Sequence, residues 1–113
     1  MSYVITKLPD GDISLGSLNG ELVSLSDSVS DYATGGYAII GGETANTNGT
    51  PNLINCDLWR IVGVIPMGGQ GSTDPQWNIN TQKLQIFPNN SASEAANGTD
   101  YSGLVFQLLL LGY

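Results

Sequence analysis

The run LVFQLLLLGY, residues 104–113, decides how the chain is read. From Leu104 to Leu111 it is apolar apart from Gln107, and it is far shorter than the about 20 residues a membrane-spanning helix needs. A strand has this length. Strand geometry puts Leu104, Phe106, Leu108 and Leu110 on one side and Val105, Gln107, Leu109 and Leu111 on the other. Both sides are apolar, so the expectation is a central strand. One face completes the core, and the other is covered by a second layer, a loop or another protein.

Working outward, the neighbouring segments repeat the same period. WNI (77–79) and KLQIF (83–87) read as two arms of a hairpin turning through Asn80, Thr81 and Gln82, with Leu84 and Ile86 facing one way and Lys83, Gln85 and Phe87 the other. NLINCDLWRIVGVIP supplies a core strand within Leu53 to Pro66, with Trp59, Ile61 and Ile65 on one face and Leu58, Arg60, Val62 and Val64 on the other. Pro66 is expected to end it. Ser2 to Leu8 forms a first strand, stopped by Pro9, Asp10 and Gly11. Asn19-Gly20 is the strongest tight-hairpin dipeptide, which predicts a turn between SLGSL and a short strand over Glu21 to Leu25. Tyr37 to Ile40 adds another strand.

Between these segments the chain is rich in Gly, Asn, Ser and Thr. Residues 41–52 read as a projecting loop, and residues 88–100 as a loop with at most one helical turn at Glu94 to Asn97. About seven short strands without a helix of ordinary length predict an all-β fold, a compact antiparallel β-sandwich or small β-barrel with long polar loops. At 113 residues the chain is read as one domain, 1–113.

Charge and composition remove several functions. Ten acidic residues against three basic ones give a formal charge of -7, so direct nucleic-acid binding, which depends on Lys and Arg displacing counterions, is not expected. One cysteine, Cys56, and no histidine leave neither an intrachain disulfide nor a plausible transition-metal set, and Cys56 reads as a small core residue. Asp27 and Asp31 lack the glycine and closing glutamate of a calcium loop, so no metal and no cofactor is expected. Arg60, alone in an apolar strand, is expected to pair with Asp57 or an acid from another strand. With no histidine and no readable carboxylate pair, no catalytic residue is expected. The Asn48, Asn89 and Asn97 acceptor triplets read as chance matches in Asn-rich loops, and no basic-then-apolar leader precedes the first strand, so synthesis without a cleaved signal is the expectation. Trp77, Tyr101 and Tyr113 are a candidate sugar-stacking platform, although cores and interfaces use such residues more often.

DYATGGYAI (31–39), the Leu58 to Pro66 strand, NTQKLQIF (80–87) and above all EAANGTDYSGLVFQLLLLG (94–112) resemble small virion proteins encoded near the head genes of tailed bacteriophages, in particular the head decoration, or capsid cement, proteins. The resemblance implies a β-rich protein on the outer surface of the capsid, produced in the host cytoplasm. Its partner would be the major capsid protein, and it would often be a homo-oligomer such as a trimer, with no cofactor and no reaction. A tail or fibre accessory protein and a carbohydrate-binding β module remain alternatives. On these grounds the expected protein-interface residues are Tyr3, Ile5, Arg60, Trp77, Phe87, Leu109, Leu111 and Tyr113.

Overall fold

The computed structural model describes residues 3–28, 32–68, 73–89 and 91–113. Among them the chain forms β1 (Tyr3–Leu15), β2 (Leu18–Asp27), β3 (Tyr37–Ala38), α1 (Gly42–Thr47), a 3-10 turn (Pro51–Leu53), β4 (Ile61–Gly68), β5 (Thr73–Asn78), β6 (Lys83–Pro88) and β7 (Val105–Gly112). The strands make two antiparallel sheets, ordered β1-β2-β7-β4 and β3-β6-β5. The fold is an all-β sandwich, not a closed barrel. Ser2, Asp31, the glycine-rich loop at 69–72 and Asn90 of the second acceptor triplet lie outside the described residues.

β7 is central, flanked by β2 and β4, and its burial alternates as its sequence requires. Phe106, Leu108 and Leu110 point inward with Val23 and Leu25 of β2, and they share one core with Tyr37, Leu84 and Ile86 of the opposite sheet. The β5–β6 hairpin also forms as expected. Asn78 pairs with Lys83 around a loop whose last residue, Gln82, has φ 57.

Elsewhere tertiary structure changed the local reading. Pro9-Asp10-Gly11 does not stop β1; it makes a bulge. Pairing jumps from Lys7↔Val23 to Asp12↔Glu21, leaving residues 8–11 opposite Leu22 alone. Asp10 takes φ 56, and a Cβ on Gly11 would sit 2.8 Å from the Leu22 carbonyl oxygen, so this crossing requires a glycine. The first hairpin exists, but its turn is Gly16-Ser17, between paired Leu15 and Leu18, with Gly16 at φ 72. Asn19-Gly20 lies inside β2. This register places Ile5 beside Leu25 and Tyr3 beside Asp27, and a turn at Asn19-Gly20 would lose both pairings.

β4 starts only at Ile61, and it continues past Pro66, which an edge strand tolerates. A register shift at Val62 breaks the simple alternation, so Ile61 and Val64 are buried whereas Ile65 is exposed. The expected strand at Tyr37 to Ile40 is paired only over Tyr37–Ala38. The supposed loop at 41–52 contains α1, whose first amides are satisfied by neighbouring chain: Gly42 N–H donates to Leu58 O at 3.1 Å and Glu43 N–H to Trp59 O at 2.8 Å. No helical turn forms at Glu94 to Asn97; instead Thr99 N–H donates to Ala96 O across a turn with Gly98 at φ 82.

Candidate protein-interaction face

The pairing registers define the outer face of the four-stranded sheet row by row. Leu22, Leu109 and Ile65 form one row across β2, β7 and β4, and Ile13, Gly20, Leu111 and Gly63 form the next across all four strands. Toward the other end, Thr6, Ser24 and Gln107 make a polar row, followed by Val4, Ser26 and Val105. None of these side chains ionises, although the chain carries a formal charge of -7. Val4 is 58% exposed and Ile65 and Val105 are each 45% exposed. These four rows carry no charge and are apolar around Leu109 and Leu111, the composition expected of an interaction surface more than of a solvated sheet.

The sheet edges are poor docking sites by comparison. β1 carries Pro9 and its bulge, β4 carries Pro66 and two register shifts, β5 carries Pro75, and β3 pairs over only two residues. Proline, bulges and short length all interrupt the row of free amides that an added strand would need. Association by the face is therefore favoured over strand addition.

The structure disperses the eight interface residues expected from sequence. Leu109 and Leu111 lie half-buried on the outer face. Tyr3 and Ile5 instead turn inward: the Tyr3 hydroxyl donates to Ala38 O at 2.7 Å, its ring stands 5.1 Å from Tyr37, and Ile5 packs on the core. Trp77 also packs against the core, with its indole N–H buried and unpartnered. Phe87 is half-buried on the other sheet. Arg60 does make an ion pair, with Glu43 of α1 at 2.6 Å, not with Asp57, and the guanidinium holds the Glu43 carboxyl below its ordinary range. Tyr113 is exposed, and its main chain pairs with Arg60, with N–H donating to Arg60 O at 3.0 Å. Sequence reasoning missed Val4, Ile13, Leu22 and Ile65. Alternation in Tyr3–Leu15 and Leu18–Asp27 carried the signal for the first three, while the shift at Val62 hid Ile65.

The sugar-platform reading fails on Tyr101. It is buried, with ring centroids 5.5 Å from Tyr32 and 6.1 Å from Phe106 in edge-to-face contact. Cys56 is buried as expected, and desolvation pushes its thiol up to about 11, which leaves it inert near neutrality. The Asp27 half of the considered calcium pair is also buried, and it accepts the Tyr37 hydroxyl at 2.9 Å.

A second cluster was not visible in the sequence because its members are far apart. Asp12, Glu21 and Asp57 place carboxylate oxygens within 4.8 Å of one another beside an open cleft of about 390 Å³. Lys7 Nζ lies 2.7 Å from Asp57 and 3.3 Å from Asp12, so an ammonium already supplies positive charge there. Glu21 is buried and accepts the Asp57 amide at 3.2 Å; burial, then the Asp57 charge, raises its pKa. Oxygen donors of this kind are those a hard cation would use, but Lys7 is hydrogen-bonded to two of the three acids. On the opposite sheet, the Tyr32 hydroxyl donates to Glu94 and accepts Ile86 N–H at 2.9 Å, while Glu94 also accepts Gly35 N–H at 2.6 Å and Gln85 Nε2 at 3.1 Å. This network pins two loops to β6 and has a structural task. Among the described residues no helix is long and apolar enough to cross a membrane.

No family model matches this chain, and neither a curated protein nor a solved structure matches it.

Proposed function

We propose that the chain is a structural protein that works by docking on other protein, and specifically a head decoration protein that binds and reinforces an assembled phage capsid. The observation that carries the docking reading is the partly apolar outer face of β1-β2-β7-β4, whose four paired rows from Val4 to Leu111 hold no ionisable side chain on a protein whose net charge is -7. The capsid form of the reading is supported by the resemblance of residues 31–39, 58–66, 80–87 and 94–112 to cement proteins. A rigid two-sheet body suits this task, because a protein that strengthens a shell must resist deformation itself. Many copies on a repeating lattice turn weak contacts into firm attachment, and binding that prefers the intact shell stabilises it by mass action. The reading contains no catalytic step and no cofactor.

The test is cosedimentation with expanded capsids of the phage whose genome encodes the chain, followed by thermal rupture before and after adding the protein back. Saturable binding in a fixed ratio with a raised rupture temperature is expected. Binding without stabilisation would favour a tail or fibre accessory role, and no association with head particles would overturn the reading.

A further inference from the structure

We propose that Asn48 is a deamidation site of the folded protein, where asparagine converts to aspartate or isoaspartate without an enzyme and the chain gains negative charge. The change is to the chain itself, whatever the outer face binds.

The chemistry is fastest where glycine follows asparagine. Solvent base takes the glycine amide proton, and the nitrogen attacks the asparagine Cγ, an approach that no side chain on glycine hinders. The N–Cγ bond forms, the Cγ–Nδ2 bond breaks, and the side-chain nitrogen leaves as ammonia. Water then opens the cyclic imide at either carbonyl, leaving a carboxylate where the amide stood. Nothing is oxidised or reduced, and water is the only co-reactant.

The sequence holds three such steps, Asn19-Gly20, Asn48-Gly49 and Asn97-Gly98, and local chemistry ranks them equally. The fold does not. Asn19-Gly20 lies within β2, where Gly20 is buried and paired with both Ile13 of β1 and Leu111 of β7. Extended backbone turns the Gly20 nitrogen away from the Asn19 side chain, so ring closure there requires the paired strands to part. Asn97-Gly98 is exposed, but both reacting groups are held: Asn97 Oδ1 accepts Thr34 N–H at 2.6 Å, and Gly98 N–H donates to Tyr32 O at 2.7 Å. Tyr32 is itself buried, and its hydroxyl is tied to Ile86 and Glu94.

Asn48-Gly49 has neither restraint. Both residues are exposed, and among the described residues the Asn48 side chain makes no hydrogen bond. The Gly49 amide donates only to Asn46 O, at 3.2 Å, at the end of the six-residue α1. Helix ends fray at low cost, so this bond opens without disturbing either sheet. Fraying frees the Gly49 nitrogen and lets Asn48 leave its helical ψ of -3 for the angle that brings that nitrogen to Cγ. The product then weakens the place where it forms. α1 has no basic residue in its last turn, so a carboxylate at residue 48 faces the helix carbonyls unopposed. Isoaspartate also lengthens the main chain inside the turn that Thr50 N–H closes on Ala45 O at 2.8 Å. Ageing at this residue should therefore loosen the C-terminal end of α1.

The test incubates the full chain at mildly alkaline pH, folded and in concentrated urea, and uses fragmentation mass spectrometry to place each amide-to-acid mass gain at its residue. In urea all three asparagines are expected to convert. In the folded protein Asn48 should convert, with Asn19 and Asn97 at least about 10-fold slower because their steps need larger openings. Asn48→Gln, whose longer side chain closes a ring far more slowly, should remove the folded-state gain and leave the thermal transition unchanged. Asn48→Asp, which makes the charged product directly, should speed hydrogen exchange at the Thr50 amide while exchange in β7 stays as in wild type. A folded protein in which Asn48 stays intact while the unfolded chain reacts would overturn the inference. Conversion of Asn19 or Asn97 as fast as Asn48, or a gain that persists in Asn48→Gln, would overturn it too. Unchanged Thr50 exchange in Asn48→Asp would overturn the loosening of α1.

Discussion

The two faces of the central strand β7 are both rich in large apolar residues and meet opposite fates. On β7, Phe106, Leu108 and Leu110 are fully buried, whereas Val105, just before them, is exposed and Leu109 and Leu111, which alternate with them, are half-covered. Hydropathy does not separate the two sets. What separates them is what stands across from each: Tyr37, Leu84 and Ile86 close the inner face, and no described segment of the chain closes the outer one. A leucine is therefore core or surface according to its side of the pleat, and its side is fixed by register.

The largest expected effect that tests this contrast is on stability. Phe106→Ala removes a ring enclosed by Tyr37 and Tyr101 and should cost about 3–5 kcal/mol in urea unfolding. Leu111→Ala, on the outer face of the same strand, should cost only about 1 kcal/mol because less area returns to water. Equal losses would mean that the outer face is as much a part of the monomer's core as the inner one.

A smaller effect comes from the inner face where it meets the acidic cleft. Burial raises the Glu21 pKa above its ordinary 4.5, so the folded state favours the protonated acid more than the unfolded state does. The resulting stabilisation is fully present below the unfolded value and is lost as pH rises through the raised folded one. Glu21→Gln keeps an acceptor for the Asp57 amide without the charge. Relative to wild type it should gain melting temperature as pH is raised from about 4 to 7. A relative loss over that range would show that Lys7 makes the ionised Glu21 stabilising.

The smallest expected effect is Gln107→Leu. Gln107 is exposed on the outer face opposite Ser24, and replacing it should change stability by no more than about 0.5 kcal/mol, checked by thermal melting. A drop of several kcal/mol would place a hidden structural role on a face otherwise free of one.

Elements with an unbroken period were legible in advance. Residues 105–111 and 83–87 alternate without interruption, so their faces could be assigned from spacing alone, and with them Leu109 and Leu111 of the candidate site. The misreadings all sit where distant backbone overrides local preference. Asn19-Gly20 has the stronger turn chemistry, but the pairing of Ile5 with Leu25 moves the turn to Gly16-Ser17. α1 is too short to show a helical period, and its first amides are held by the carbonyls of Leu58 and Trp59. Ile65 was grouped with Ile61, but one inserted residue, Val62, puts the two on opposite faces.

By itself the sequence determined an acidic, all-β chain without histidine, with a central apolar strand at 105–112 whose two faces are both greasy. Those properties follow from composition and a period of two, which are local and survive any packing. Tertiary structure alone decided which of the two faces meets the second sheet, which edges are interrupted, and that Lys7, Asp12, Glu21 and Asp57 share one cleft. Each of these depends on pairing between segments tens of residues apart, where a shift of one residue exchanges inside for outside.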